Sequence, residues 1–314
     1  MNAANRSNVG RSVKFWMLGT LAAAVGFGLQ AQGQNQDSEL VKKVVHWTKH
    51  EQNAHNQSNP RRGSGGMTYH GGPLLGIATG NPVNVYLIWY GNWSGNSATT
   101  IVPNFLNSIG GSPYYNINTT YYNGSGVHIQ NAVNYSGSTT DNYSQGKAIG
   151  DGQVQMIVAN AISSNRLPND ANGVYFVLTS ADVTETSGFC SYYCAWHTVG
   201  TINGTDIKYA FVGNPDQCPS GCTAQYPNSP NGNAGADGMV SLIAHELEEA
   251  ATDPDLNAWY DSRGQENADK CAWTFGTVSK ASNGSYYNMI LGNKNYLIQR
   301  NWVNVGSGYC AVSY

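Results

Sequence analysis

One helical stretch that stops at a proline constrains this chain more than any other feature. Val240, Ile243, Ala244, Leu247 and Ala251 recur at the three- and four-residue spacing of a single helix face, and Thr252-Asp253-Pro254 ends the pattern. Such a stripe has to be covered by a second layer, so the chain folds as a layered domain. Asp237 stands where an N-cap is expected. His245 and Glu249 fall on the predicted opposite face, within the run His245-Glu246-Leu247-Glu248-Glu249. This is H-E-x-x-E, one ligand away from the H-E-x-x-H pattern of zinc peptidases. Side chains four apart on a helix lie one above the other, so His245 and Glu249 can grip one ion together. Glu246 is then placed as the base that activates a water on that ion.

Catalytic zinc takes three protein ligands and keeps one position for water. The third is expected downstream, from Glu266, 17 residues past Glu249, or from Asp269, three further on. Asp253 is a further candidate, but Pro254 breaks the helix there, which favours a capping or supporting role. One imidazole with two carboxylates makes Zn²⁺ the expected cofactor, with Ca²⁺ or Mn²⁺ as alternatives that the negative charge favours. His197, close after Cys194 and Trp196, is expected either to polarise a substrate carbonyl or to pack as a structural histidine. Tyr192 and Tyr260 are weaker candidate donors. No serine lies in a G-x-S-x-G elbow.

The compartment follows from both the start of the chain and the cysteines. Arg6, Arg11 and Lys14 precede an apolar run from Phe15 to Leu29, and together they read as a signal peptide over residues 1–31. Six cysteines behind such a leader argue for disulfides. The expected pairs are Cys190–Cys194, Cys218–Cys222 and Cys271–Cys310, with a four-thiolate zinc site as the rival. Residues 32–72 are rich in Gln, Asn, Ser and Gly and read as a disordered linker or pro-segment, with a short helix over Leu40–Lys49 and a dibasic Arg61-Arg62. His46, His50, His55 and His70 fall in this segment and are expected to be solvated. The domain proper is placed at 73–314. With a net charge of −3, 11% charged residues and no basic stripe, nucleic acid is excluded as an expected partner. An extracellular peptide or cell-wall polymer is expected instead, with no stable membrane insertion after the leader is removed.

Strands are predicted at Val83–Tyr90, Val127–Val133 and Val174–Thr179, followed by a hairpin turning at Asn203-Gly204. Short strands are predicted at Ala272–Thr274, Met289–Leu291 and Tyr296–Ile298. Helices are predicted over Ala98–Ile109 and Val154–Asn165, the second capped by Asp151. This order predicts a mixed α/β (α+β) fold: one zincin-like domain with a central mixed sheet and an active-site helix, stapled by disulfides.

Several motifs resemble the EXORDIUM, or phosphate-induced protein 1, family. They are Leu74-Leu75-Gly76 before Val83 to Gly91, Gly188-Phe189-Cys190-x-x-x-Cys194-x-Trp196-His197, Val212-Gly213-Asn214, Gln217-Cys218-Pro219-x-x-Cys222, and the run from Pro230 to Val240 leading into His245-Glu246-Leu247. The likeness covers roughly residues 72–314. It implies a secreted or cell-wall-associated protein, and the retained His245, Glu246 and Glu249 resemble a bacterial-type, metal-site-bearing branch. The leading expectation is a secreted, zinc-dependent hydrolase of the peptidase kind. The alternative is a non-catalytic extracellular binding or signalling protein in which the same residues hold a structural ion. A glycosidase using Glu246 and Glu266 is a third reading.

Overall fold

The computed structural model describes residues 42–58 and 65–314. The leader at 1–31 and the Arg61-Arg62 pair lie outside the described residues. The centre of the domain is a six-stranded mixed sheet. Its strands are β1 (Val44–Trp47), β2 (Val83–Tyr90), β3 (Val133–Asp141), β4 (Gly173–Thr179), β5 (Tyr193–Ile202) and β6 (Thr205–Val212). They run in the order β1-β5-β6-β4-β2-β3, with β5 antiparallel to both its neighbours and the remaining pairs parallel. The β-branched and aromatic run of β2 sits inside the sheet and is almost wholly buried, as a strand covered on both faces has to be. Asn203 and Gly204 take φ of 50° and 76°, the left-handed pair a tight β5–β6 hairpin requires.

The longer helices are α1 (Lys49–Ser58), α2 (Ala98–Ile109), α3 (Asp151–Ser163) and α4 (Ala234–Thr252). Helix α2 matches its predicted bounds, and α3 starts three residues before the predicted helix, with Gly150 rather than Asp151 in the N-cap position. Strand β3 was not foreseen. Its polar sequence, VNYSGSTTD, belongs to an edge strand that is half exposed, so it carries none of the apolar signal of a core strand. Of the predicted strand at 127–133, His128 makes an isolated bridge to Tyr122 and Val133 begins β3. Trp273 turns at φ 57°, which removes the predicted strand at 272–274.

Two corrections bear on the site. Residues 42–58, expected in a linker, form β1 and α1, and β1 pairs with β5 from Val44 opposite His197 to Trp47 opposite Tyr193. Pairing with β5 overrides the local helical pattern read around Leu40–Lys49. Helix α4 also has no solvated face: all nineteen of its residues are buried, and it packs against α2, β5 and β6. Its N-cap is Asn233, whose side chain accepts from the Ala236 amide at 3.0 Å, while Asp237 sits inside the first turn.

The disulfides are Cys190–Cys218, Cys194–Cys222 and Cys271–Cys310. The two expected short clips are therefore wrong, and the third pair is right. Two parallel bridges of equal span tie the start of β5 to the segment before α4. The third ties the 3₁₀ turn Asp269–Cys271 to the C-terminal strand Tyr309–Ala311. Each bridge thus braces an element that carries a candidate ligand. Replacing Cys271 and Cys310 by Ala should lower the unfolding free energy by about 4 kcal/mol, as loop-closure entropy predicts for a span of 39 residues. Urea denaturation measures it, and an unchanged midpoint would remove this bridge from the account.

Candidate metal centre

Four elements converge on the C-terminal half of α4. The helix supplies His245, Glu246 and Glu249. β5 supplies His197, because its alternation sends Trp196 against Tyr209 and Phe211 and the next side chain toward the helix. The loop after α4 supplies Glu266, and the 3₁₀ turn supplies Asp269. The loop is steered by Asp253, which ends α4 and accepts from the Asn257 and Ala258 amides at 2.6 and 2.5 Å. Asp253 therefore positions the returning chain, as the break at Pro254 predicted.

The distances form two sets. His245 Nε2 lies 3.1 Å from Glu249 Oε1 and 3.6 Å from Asp269 Oδ1. His197 Nε2 lies 3.6 Å from Glu249 Oε2 and 3.2 Å from Glu266 Oε2. Glu246 offers an oxygen within 4.8 Å of donor atoms on both His197 and Glu249. None of the four close approaches meets both the distance and the alignment of a hydrogen bond, and the ring nitrogens of both histidines, both Glu246 oxygens, Glu249 Oε2, Glu266 Oε2 and Asp269 Oδ1 have no partner. Around them the framework is well bonded. The Asp269 amide donates to Glu249 Oε1 at 3.0 Å, and Asn301 donates to Glu248 Oε2 at 2.7 Å.

Burial dominates the electrostatics. It pushes the Glu249 carboxyl up to about 7, against the pull of His245. It also lifts Glu246 and Glu266 well above the carboxylate range. His197 is driven down to about 3 by burial and by His245 beside it. For His245, burial opposes the charge, but Glu249 and the other acids outweigh it and hold the imidazole well above its ordinary range. A buried unpaired carboxylate costs several kcal/mol, more than the roughly 1.5–3 kcal/mol that burying a residue such as Leu247 returns. The same buried donors are of the types and spacing that could hold a cation.

All six predicted site residues meet here: His245, Glu246, Glu249, Glu266, Asp269 and His197. Sequence reasoning treated Glu266 and Asp269 as competitors and kept His197 apart from the ligands. In the structure Asp269 sits by His245, and Glu266 by His197. Tyr192 is 58% exposed in the loop before β5, and Tyr260 stacks on His70 with ring centroids 3.6 Å apart, so neither tyrosine joins the cluster.

His46 was missed. It is fully buried, with its ring centroid 4.1 Å from that of His245. Its Nδ1–H donates to the Trp47 carbonyl at 3.0 Å, and its Nε2 accepts from the Gln299 amide at 2.7 Å. Both nitrogens are spent, so His46 backs the His245 ring and is not a ligand. Burial, reinforced by His245, keeps it neutral. The alternation Val45-His46-Trp47 beside a β-branched pair was the only signal available, and the polar composition around it hid that signal.

Comparison with known proteins gives one family. Residues 67–307 match the phosphate-induced protein 1 conserved region. Protein EXORDIUM-like 3 of Arabidopsis thaliana is 34% identical over 283 residues, covering 78% of this chain and 82% of that protein. Protein EXORDIUM-like 5 of the same plant is 32% identical over 276 residues, with 75% of each chain covered. Protein PHOSPHATE-INDUCED 1 of Nicotiana tabacum is 27% identical over 261 residues, covering 73% of this chain and 78% of its own. No solved structure matches the chain. The matched region takes in every candidate ligand and leaves out β1 and α1. The chain belongs to the EXORDIUM/phosphate-induced protein 1 family.

Proposed function

We propose that the protein is an extracellular, metal-dependent hydrolase, zincin-like in the way one helix carries both ligands and base, acting on a peptide or cell-wall polymer. The observation that carries this is the group of buried, unpartnered donors around Glu249. Imidazole nitrogen mixed with carboxylate oxygen suits Zn²⁺ or Mn²⁺ better than Ca²⁺. A divalent cation there supplies Lewis acidity. Glu246 follows His245 on the same turn and makes no hydrogen bond; a cation beside it would offset the burial that favours its protonated form, leaving a carboxylate to accept a proton from an attacking water. Access is supported on one side: the Asp269 side chain is 11% exposed, at a cleft of about 330 Å³ also lined by Val44, Val45, Trp47 and Gln265. The three disulfides, with no membrane-spanning helix among the described residues, fit an extracellular setting.

The test is turnover by metal-loaded protein on unstructured polypeptide and on cell-wall polymer, with the Glu246→Gln variant beside it. The variant should keep its metal and lose roughly 10²–10⁴-fold in rate, the usual contribution of a general base. Undiminished rates in Glu246→Gln would remove the base. A second reading, a structural ion in a binding protein, is favoured by the burial of His245, Glu246 and Glu249, of which none is more than 1% exposed. Stoichiometric metal with no turnover on any substrate would select it.

A further inference from the structure

We propose that the centre holds two divalent cations, bridged by the Glu249 carboxylate with one oxygen to each. The proposal rests on the metal-dependent reading above and extends it from one ion to two. The first ion lies among His245 Nε2, Glu249 Oε1 and Asp269 Oδ1. The second lies beside His197 Nε2 and Glu249, with a Glu246 oxygen within 4.8 Å of both and Glu266 Oε2 3.2 Å from the imidazole.

The geometry separates the two sets. Each contains one imidazole and draws on a different oxygen of Glu249. The two close donor groups have only Glu249 in common, so the two imidazoles do not share one tight cage. Donors bound tetrahedrally at zinc–nitrogen and zinc–oxygen bond lengths stand about 3.3–3.4 Å from one another. The observed separations, 3.1 and 3.6 Å from His245 Nε2 and 3.6 and 3.2 Å from His197 Nε2, are of the size that an ion beside each imidazole requires. Carboxylate-bridged ions stand about 3.5–4 Å apart, a span one carboxylate reaches.

Charge gives an independent reason. Glu246, Glu249, Glu266 and Asp269 bring four carboxylates into one buried volume. The ion pairs of Lys43, Lys208 and Lys270 are made to other acids, Asp151, Asp206 with Asp255, and Asp261. One dication would leave two of these four charges uncompensated in the interior, whereas a second offsets them; the neighbouring buried Glu248 and Asp253 accept from Asn301 and from the Asn257 and Ala258 amides. His197 points to an ion independently of the acids. Both its ring nitrogens are buried and unpartnered, and the nearest acceptors face Nε2 without hydrogen-bond alignment.

The experiment loads intact protein with zinc or with manganese, removes excess ion by gel filtration, and counts metal per chain by elemental analysis. Two ions are expected. One ion overturns the proposal and leaves the hydrolase reading standing; no ion overturns both. Glu266→Gln and Asp269→Asn should each retain one ion, and a folded variant that keeps two overturns the assignment of its site. Manganese-loaded wild type gives a check that needs no variant. An exchange-coupled resonance spectrum is expected, and the six-line spectrum of isolated ions at full loading would overturn the bridge.

Discussion

Stripping divalent cations from the purified protein is expected to lower its thermal midpoint by roughly 10 °C. An ion present at about 1,000 times its dissociation constant stabilises the folded state by about 4 kcal/mol, and a domain of this size moves roughly 2–4 °C per kcal/mol. The physical origin is the cage itself. Without cations, Glu246, Glu249 and Glu266 are buried together beside Asp269, so the chain holds protons there that an unfolded chain would release. A scan with and without chelator, followed by readdition of zinc, measures the effect. A midpoint that chelation leaves in place would mean that shared protons suffice, and the metal centre would fall.

The pH dependence makes this sharper. Glu249 is raised to about 7 and Glu246 and Glu266 are raised well above their ordinary values, all through burial first. Above about pH 6.5 the stripped folded state therefore binds more protons than the unfolded chain, and its stability falls as pH rises through 7. His245, also raised, adds the same sign. The depressed histidines, His197 and His46, act below that window, where their contribution is lost as pH falls. Metal binding needs the ligands deprotonated, so the loaded protein gains over the same range. The gap between loaded and stripped midpoints should widen from pH 6.5 to 8. A gap that narrows contradicts the assignment of these carboxylates as ligands.

The site was readable where chemistry and periodicity coincide in a short stretch. His245, Glu246 and Glu249 share one helix, and a four-residue spacing fixes their relation before any tertiary contact exists. Glu266 and Asp269 were visible as downstream acids, but which imidazole each would meet depends on the path of a loop, and no periodicity encodes that. His197 was noticed because it sits beside cysteines, although the wrong disulfide pairing hid how firmly β5 is held. Pairing by spacing failed because the C-x-x-x-C pairs invite local closure, whereas the fold lays the two segments side by side and bridges across. The strands told a similar story. β2 and β4 announce themselves through burial on both faces, while β3 is polar because it lies at an edge.

Replacing His46 by Ala should destabilise the metal-loaded protein by about 3 kcal/mol, within the range for truncating a buried ring and leaving an amide unpaired. A chain beginning at residue 65, close to the start of the family match, should fail to hold metal at all. His46 fills the space behind His245 and satisfies Gln299, whose backbone is placed against α4 through a bond to Ser241 Oγ at 3.2 Å. Strand β1 pairs with the backbone of β5 at His197 itself, and the Trp47 carbonyl accepts from Trp273 Nε1 at 2.9 Å. Without β1, the strand carrying His197 becomes a bare edge, with Trp196 behind it losing its cover, and both imidazoles lose the contacts that fix them. Circular dichroism and metal content of the two variants separate the possible outcomes. A folded, metal-bearing chain from residue 65 would show β1 to be decoration on an independent domain. Loss of metal with the loss of β1 would make the first strand a structural part of the centre, contributed from outside the conserved region.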